Sequence, residues 1–317
     1  RRGAASPEVA DNLYNLAELH LATGGLDAAE SYANQSIGIY VPLGIAYGIE
    51  LAEAKNTLSR ILQVRGRLDE TERLLRESIE IVEATGGKDH PLLAYYLQNL
   101  GVLLQSQGKL VAAEETLEEA IETTRRVLGE KHDLVATTLS IQGGLLQQRG
   151  AYDEAEAAYR EALAIDIERR GPAHPYVGYD LTGLAILLHD MGRLPEAEER
   201  LREALGIYAA SLDPDHQYIA SALTELGAVL VSRDAASDAV PLLTEALRIR
   251  RVDYPDDNVL TAATMVELGS AVLDTGQTDE ARALILNAAE ILRGRNDRRA
   301  KRALAAMAQL ENAPTGP

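Results

Sequence analysis

Cysteine, tryptophan and phenylalanine are all absent from these 317 residues. Without thiols the chain has no disulfide framework, no thiolate zinc site and no cysteine nucleophile, and nothing in it calls for an oxidising compartment, which points to the cytoplasm. Basic residues are outnumbered, with 31 Lys and Arg against 49 Asp and Glu, a formal net charge of −18. Such a field repels phosphate backbones and anionic lipid surfaces, so the expected partners include no nucleic acid. Long apolar runs are missing too. None approaches the ~18 residues of a spanning helix, so no membrane insertion is expected of this stretch. Alternating apolar and polar runs, the mark of half-buried strands, are also lacking. The chain opens Arg1-Arg2-Gly3 without an initiating methionine and reads as part of something longer.

What is present is a period. Gly24, Gly66, Gly108, Gly150, Gly192 and Gly276 are separated by 42 residues or a multiple of it, and the one position that breaks the series holds Asp234. Seven units follow without insertion or deletion. Fourteen residues before each of these positions stands a small residue: Ala10, Ala52, Ala94, Ala136, Gly178, Ala220 and Ala262. Seven before it the small column recurs as Ala17, Ser59, Gly101, Gly143, Ala185, Gly227 and Gly269. Between the columns, apolar residues at helical spacing, as in Leu97, Leu100, Leu103 and Leu104, mark an amphipathic helix A. A second stripe after the glycine, with small residues such as Ala113, Ala155 and Ala197, marks helix B. Small residues at fixed places let two backbones approach closely, and glycine supplies the freedom of a tight turn between them. One hairpin of this size cannot bury its own apolar faces, so the units must stack.

The expected fold is therefore all-α, a right-handed superhelical solenoid of seven helix-turn-helix units with a C-terminal capping helix. The boundaries predicted are a lead-in at 1–7, units at 8–48, 49–90, 91–132, 133–174, 175–216, 217–258 and 259–295, a cap at 296–311 and a disordered tail at 312–317. The cap is read from Met307 and Leu310, which fall 42 residues after Met265 and Leu268.

The wording Ala-x-x-Leu-x-x-x-small-x-Leu-Leu-x-x-x-Gly-x-Tyr-x-Glu-Ala-Glu at Ala136 to Glu156 resembles the tetratricopeptide repeat. The 42-residue period, with turns such as Gly171-Pro-Ala-His-Pro175, is similar to the longer variety found in kinesin light chains and many bacterial proteins. The resemblance covers about residues 8 to 311. It departs from the family in carrying Leu where aromatic residues are usual. The stretch Asp215 to Gly227 is also similar to repeat regions C-terminal to bacterial serine/threonine kinases.

Four of six histidines, His90, His132, His174 and His216, fall on the period in the turn between hairpins. One per unit is too dispersed to share an ion, so they read as turn residues, and no metal site is expected. No nucleophile elbow, P-loop, dinucleotide fingerprint, HExxH or calcium loop is present, so the chain is expected to hold no cofactor and to be no enzyme. Acidic clusters such as Glu118-Glu119 read as the solvated face of a helix B.

The resemblance implies that helix A lines an inner wall, through the residues one, four, eight and eleven after the opening small residue. In units 3 to 5 these are Tyr95, Gln98, Val102 and Gln105; Thr137, Ser140, Gly144 and Gln147; Tyr179, Thr182, Ile186 and His189. None is charged, whereas about three of twelve would be at the chain's 25% charged composition. Asn99 stands where such repeats often carry an asparagine that holds a peptide backbone, as does Asn15, while Thr57, Ile141, Gly183, Glu225 and Glu267 replace it in the other units. Amide, hydroxyl and tyrosine groups suit a peptide main chain.

The reading is thus a non-catalytic scaffold that takes a protein or peptide partner, basic or neutral rather than acidic, within a larger bacterial signalling protein. The alternative is a regulatory array that senses a small signalling peptide or oligomerises. Two features stand outside the pattern. The apolar turn Val41 to Gly48 reads as local packing, with self-association as its other reading. Arg293 to Arg302 carries a net +5 and reads as a solvated helix end, with an acidic partner as its other reading.

Overall fold

The computed structural model describes residues 6–295 and 298–312. Among them every regular element is helical: α1 Pro7–Ala22, α2 Leu26–Tyr40, α3 Gly48–Val64, α4 Leu68–Gly86, α5 Pro91–Ser106, α6 Leu110–Leu128, α7 Asp133–Arg149, α8 Tyr152–Arg170, α9 Pro175–Asp190, α10 Leu194–Ser211, α11 Gln217–Ser232, α12 Ala236–Asp253, α13 Val259–Asp274, α14 Thr278–Leu292 and α15 Arg298–Asn312. Odd-numbered helices through α13 are the A helices and even-numbered ones the B helices. The expected cap begins at Asn296, which with Asp297 lies outside the described residues, as do 1–5 of the lead-in and 313–317 of the tail. Asn312, assigned to the tail by the sequence reading, is the last residue of α15.

The histidines of the turns start A helices. Each ring Nδ1 accepts the backbone N–H two residues on, His90 from Leu92 at 3.3 Å, His132 from Leu134 at 3.1 Å, His174 from Tyr176 at 3.2 Å and His216 from Tyr218 at 3.1 Å. That satisfies one of the four donors a helix start leaves open. In the seventh unit Asn258 takes the place, its Oδ1 accepting from Leu260 at 2.8 Å. The A helices end in a left-handed residue, glycine in six units and Asp234, at φ 61°, in the sixth.

Two compact units divide the chain, 1–145 and 146–317. In the first, α1 pairs with α2, α3 with α4 and α5 with α6, and α2 and α4 each pack on the following A helix. Its core runs from Ala10, Tyr40 and Ala54 through Ala17, Ile61 and Leu74 to Leu103, Leu117 and Leu145. In the second, α9 pairs with α10, α11 with α12 and α13 with α14, while α9, α11, α13 and α15 also touch in succession, so the A helices form the closer-packed layer of that unit.

The small columns are steric necessities. A Cβ on Gly101 would come 2.6 Å from Leu117, and on Gly227 2.4 Å from Leu243. Those leucines are fully buried, each contributing ~1.5–3 kcal/mol by leaving water. Gly178, where other units have alanine, makes room for Tyr208, whose ring would lie 2.6 Å from an added Cβ. In the first two hairpins the small column of helix B also bonds helix A, Ser36 Oγ donating to the Ala10 carbonyl at 2.9 Å and Ser78 Oγ to that of Ala52 at 3.2 Å.

Pro42 ends α2, and a 3-10 helix, Val41–Tyr47, leads into α3 through Gly44 at φ 70°. That break divides the helical stretch 26–64 into separate elements of one stacked unit. Leu43 and Tyr47 pack beside Tyr40, as the local-packing reading expects, and Val41 and Ile45 stay exposed.

Candidate functional site

In the first unit, α5 presents Tyr95, Asn99, Val102 and Gln105 at spacings of four, three and three, one face of a helix. Tyr95 is exposed and the other three are half-buried. Asn99 Nδ2 donates to Asn56 Oδ1 at 3.3 Å, so an amide pair joins α5 to α3 and leaves the Asn99 carbonyl oxygen available as an acceptor. On α7, Thr137 and Gly144 are half-buried, Thr137 Oγ1 donating to the carbonyl of Asp133 at 3.1 Å. The same register on α1 and α3 is charged, with Asp11, Glu18, Glu53 and Arg60. Burial, with Glu50 and Asp11 nearby, pushes the Glu53 carboxyl above its ordinary value.

Four residues expected on the wall are not there, His189 and a column of three. Gln98, Ser140 and Thr182, each four after its small residue, are buried. In α11 this column meets the neighbouring A helix, and in α9 the paired B helix. Its member in α11, Thr224, shares a 3.0 Å hydrogen bond with Thr264 of α13, and Thr182 Oγ1 donates to the Gly178 carbonyl at 2.8 Å beside the Tyr208 hydroxyl. A uniform rule of four faces per helix missed that packing against a neighbouring helix must bury one of the four.

In the second unit, Tyr179 is exposed, its ring 5.9 Å from that of Tyr218, and Ile186 is half-buried. Gly183 replaces the asparagine because Tyr159 fills the space, 2.6 Å from where a Cβ would stand. Gln147 Nε2 donates to Asp190 Oδ2 at 2.6 Å.

His189, expected on the open wall, is instead the centre of a polar cluster. Arg302 Nη2 donates to its Nδ1 at 3.0 Å, with Arg298 Nη2 at 3.4 Å. Because guanidinium only donates, Nδ1 is the acceptor and Nε2 carries the proton, which it gives to Ser232 Oγ at 2.8 Å. Burial, then the charges of Arg302 and Arg298, press the His189 pKa down to about 4, so the ring is neutral. Arg298 also reaches Asp190 Oδ1 at 3.1 Å and Glu225 Oε2 at 2.9 Å, and Arg302 reaches Glu267 Oε1 at 2.6 Å. Burial raises the Glu225 carboxyl, but the two arginines outweigh it and hold the pKa at about 2.

The solvated-end reading of Arg293 to Arg302 is therefore corrected for Arg298 and Arg302: they are seated on α9, α11 and α13. The signal lay in two departures that belong together, glutamate at 225 and 267 in the asparagine column and two arginines one helical turn apart in a basic segment.

The tetratricopeptide repeat family model matches residues 50–124, 98–168 and 171–251, more than half of the chain. The chain belongs to the tetratricopeptide repeat family. Members of this family are generally protein–protein interaction scaffolds and typically non-catalytic. Solved structures share the TPR fold. BtubC (BKLC) from P. vanneervenii is 22% identical, with a TM-score of 0.58 over 73% of this chain and 94% of that one. A putative kinesin light chain with nearly identical TPR-like repeats, from Podosopora anserina, is 23% identical, with a TM-score of 0.51 over 64% and 96%. The apo form of RapI is 13% identical, with a TM-score of 0.70 over 96% and 99%. No curated protein sequence matches. At these identities the likeness concerns the TPR fold alone.

Proposed function

We propose that this TPR chain binds an extended peptide segment of a protein partner along the A-helix face of its first unit. The observation that supports this is the composition of the α5 face: an exposed tyrosine, an asparagine with a spare carbonyl, a valine and a glutamine, none charged, on a chain of net −18. Amide groups match main-chain donors and acceptors, and tyrosine adds contact area at small entropic cost. On α1 and α3 the same register sets Asp11, Glu18 and Glu53 against Arg60 alone, a net acidic surface that favours a basic or neutral partner over an acidic one. Membership of a larger bacterial signalling protein belongs to the same reading and is supported only by the kinase-associated wording of 215–227.

The test is selection of binding peptides from a displayed random library, followed by calorimetry on the enriched sequences. The expected peptides are poor in Asp and Glu, lose affinity by a few kcal/mol with Tyr95→Ala, as central aromatic anchors do, and change little between low and high salt. Reversing charge at Glu118 and Glu119 on the outer face should leave affinity unchanged. Peptides that keep their affinity for the Tyr95→Ala chain would move the site off α5.

A further inference from the structure

Helix α15 is more than a lid on the last hairpin. Its Ala300, Ala303, Ala306 and Leu310 are buried, as a cap requires, yet an open cleft of about 370 Å³ lies between it and α14, lined by Leu286, Leu292, Ala303, Leu304 and Met307. Leu304 is 67% exposed and Leu286 47%. Apolar packing on that side is incomplete, while the opposite side is held by guanidinium groups: Arg298 on Asp190 and Glu225, Arg302 on Glu267, and both on His189.

What defines this place is the pair of arginines seated in it. Three carboxylates on three successive A helices receive two cations, so the receptor retains one negative charge when filled and would carry three when empty. The neutral imidazole is specific in its own way. Nδ1 is an acceptor only because Nε2 is committed to Ser232, whose hydroxyl in turn donates to the Ala228 carbonyl at 3.0 Å. A planar fork of fixed donors meets a carboxylate and the ring nitrogen at once in a set geometry, which the compact, rotating ammonium of lysine does not preorganise. Arg298 and Arg302 are four residues apart, so the spacing the receptor reads is one turn of helix.

We propose that the α9–α11–α13 face is an arginine-pair receptor, with α15 as its built-in occupant, and that a basic helix of a partner protein carrying arginines at i and i+4 competes with α15 for it. This site is independent of the α5 face and stands or falls separately from the peptide reading above.

The test uses the full chain carrying Arg298→Gln and Arg302→Gln, which keeps the apolar anchors of α15. A synthetic helical peptide with two arginines four apart, and its lysine counterpart, are titrated against it by calorimetry. The expected result is binding of the arginine peptide at least tenfold tighter to the double variant than to the unaltered chain. The lysine peptide should bind at least tenfold more weakly, and Glu225→Gln with Glu267→Gln should abolish the interaction. Equal affinity for both chains, or for both peptides, would overturn the proposal and leave the cluster as a clamp on the cap.

A second measurement does not depend on how the double variant folds. With no native cysteine, a spin label at the exposed Ala305, placed through Ala305→Cys in an otherwise unaltered chain, reports on α15 directly. Excess arginine peptide should mobilise the label and the lysine peptide should not. An unresponsive label would refute displacement.

Discussion

Asp234 occupies the one A-to-B turn where the left-handed residue is not glycine, at φ 61°. Its N–H still bonds the Val231 carbonyl and that of Ala235 the Leu230 carbonyl, the pattern made by Gly192 and Arg193 one unit earlier. The turn is thus preserved at the expense of a side chain in a region that disfavours it. Asp234 also adds its charge to burial in raising the carboxyl of Asp274 above its ordinary value. Asp234→Gly should therefore stabilise the chain, by up to ~1 kcal/mol, since aspartate is among the residues that tolerate this region best. Chemical denaturation midpoints would check it, and a loss of stability would mean the Asp234 side chain has a role beyond the turn. At the helix starts, His174→Ala should cost ~1 kcal/mol by orphaning the Tyr176 N–H, while His174→Asn should cost far less. Asn258 already performs that substitution in the seventh unit.

At the scale of the helix, two contacts invite measurement. Ala155 is fully buried on α8, and Ala155→Leu should overpack the hairpin and cost roughly 1–3 kcal/mol. Glu118→Leu, on the exposed side of α6, should leave the melting temperature nearly unchanged, and equal shifts for the two would contradict the assigned faces. Docking of α15 should depend on pH. The charged groups facing His189 are Asp190 on its own helix, Glu225 and Glu267 from α11 and α13, and Arg298 and Arg302 from α15. His189 binds its proton more weakly docked, at about 4, than at its ordinary 6.5. Docking is thus fully stable above pH 6.5 and weakens as pH falls towards 4. Glu225, depressed to about 2, extends the loss below pH 4.5. Mobility of a label at Ala305→Cys across this range would show the onset, and His189→Gln should flatten the part above pH 4.5. An unchanged profile in that variant would remove His189 as the titrating group.

Across the whole molecule, the period made the fold legible, because each small residue recurs wherever a facing side chain leaves no room, as Gly101 does before Leu117. The site was less so. Tyr95 and Asn99 share one face of α5, but the burial of Gln98 depends on packing between helices, which spacing along one helix does not encode. The arginine cluster was hidden for a different reason: repeat logic compares equivalent positions, and Arg298 meets Asp190 through no equivalence at all.

That pairing has a kinetic side. Hydrogen bonds between neighbouring repeats join residues about one period apart, as Asn99 with Asn56 and Gln147 with Asp190, both 43 residues. Loops of that size close readily, and hairpins of such an array can nucleate independently and propagate to their neighbours. Arg298 to Asp190 spans 108 residues and Arg302 to His189 spans 113. Their ring can close only after α9, α11 and α13 are stacked, so we expect refolding in two phases, a fast one in overall helicity and a later one in the environment of α15. Stopped-flow traces of far-ultraviolet circular dichroism and of a fluorophore at Ala305→Cys would separate them, and coincident traces would refute the order. The last contact to form on refolding would then be the first to open in the native state, which makes the basic helix a point of low local stability.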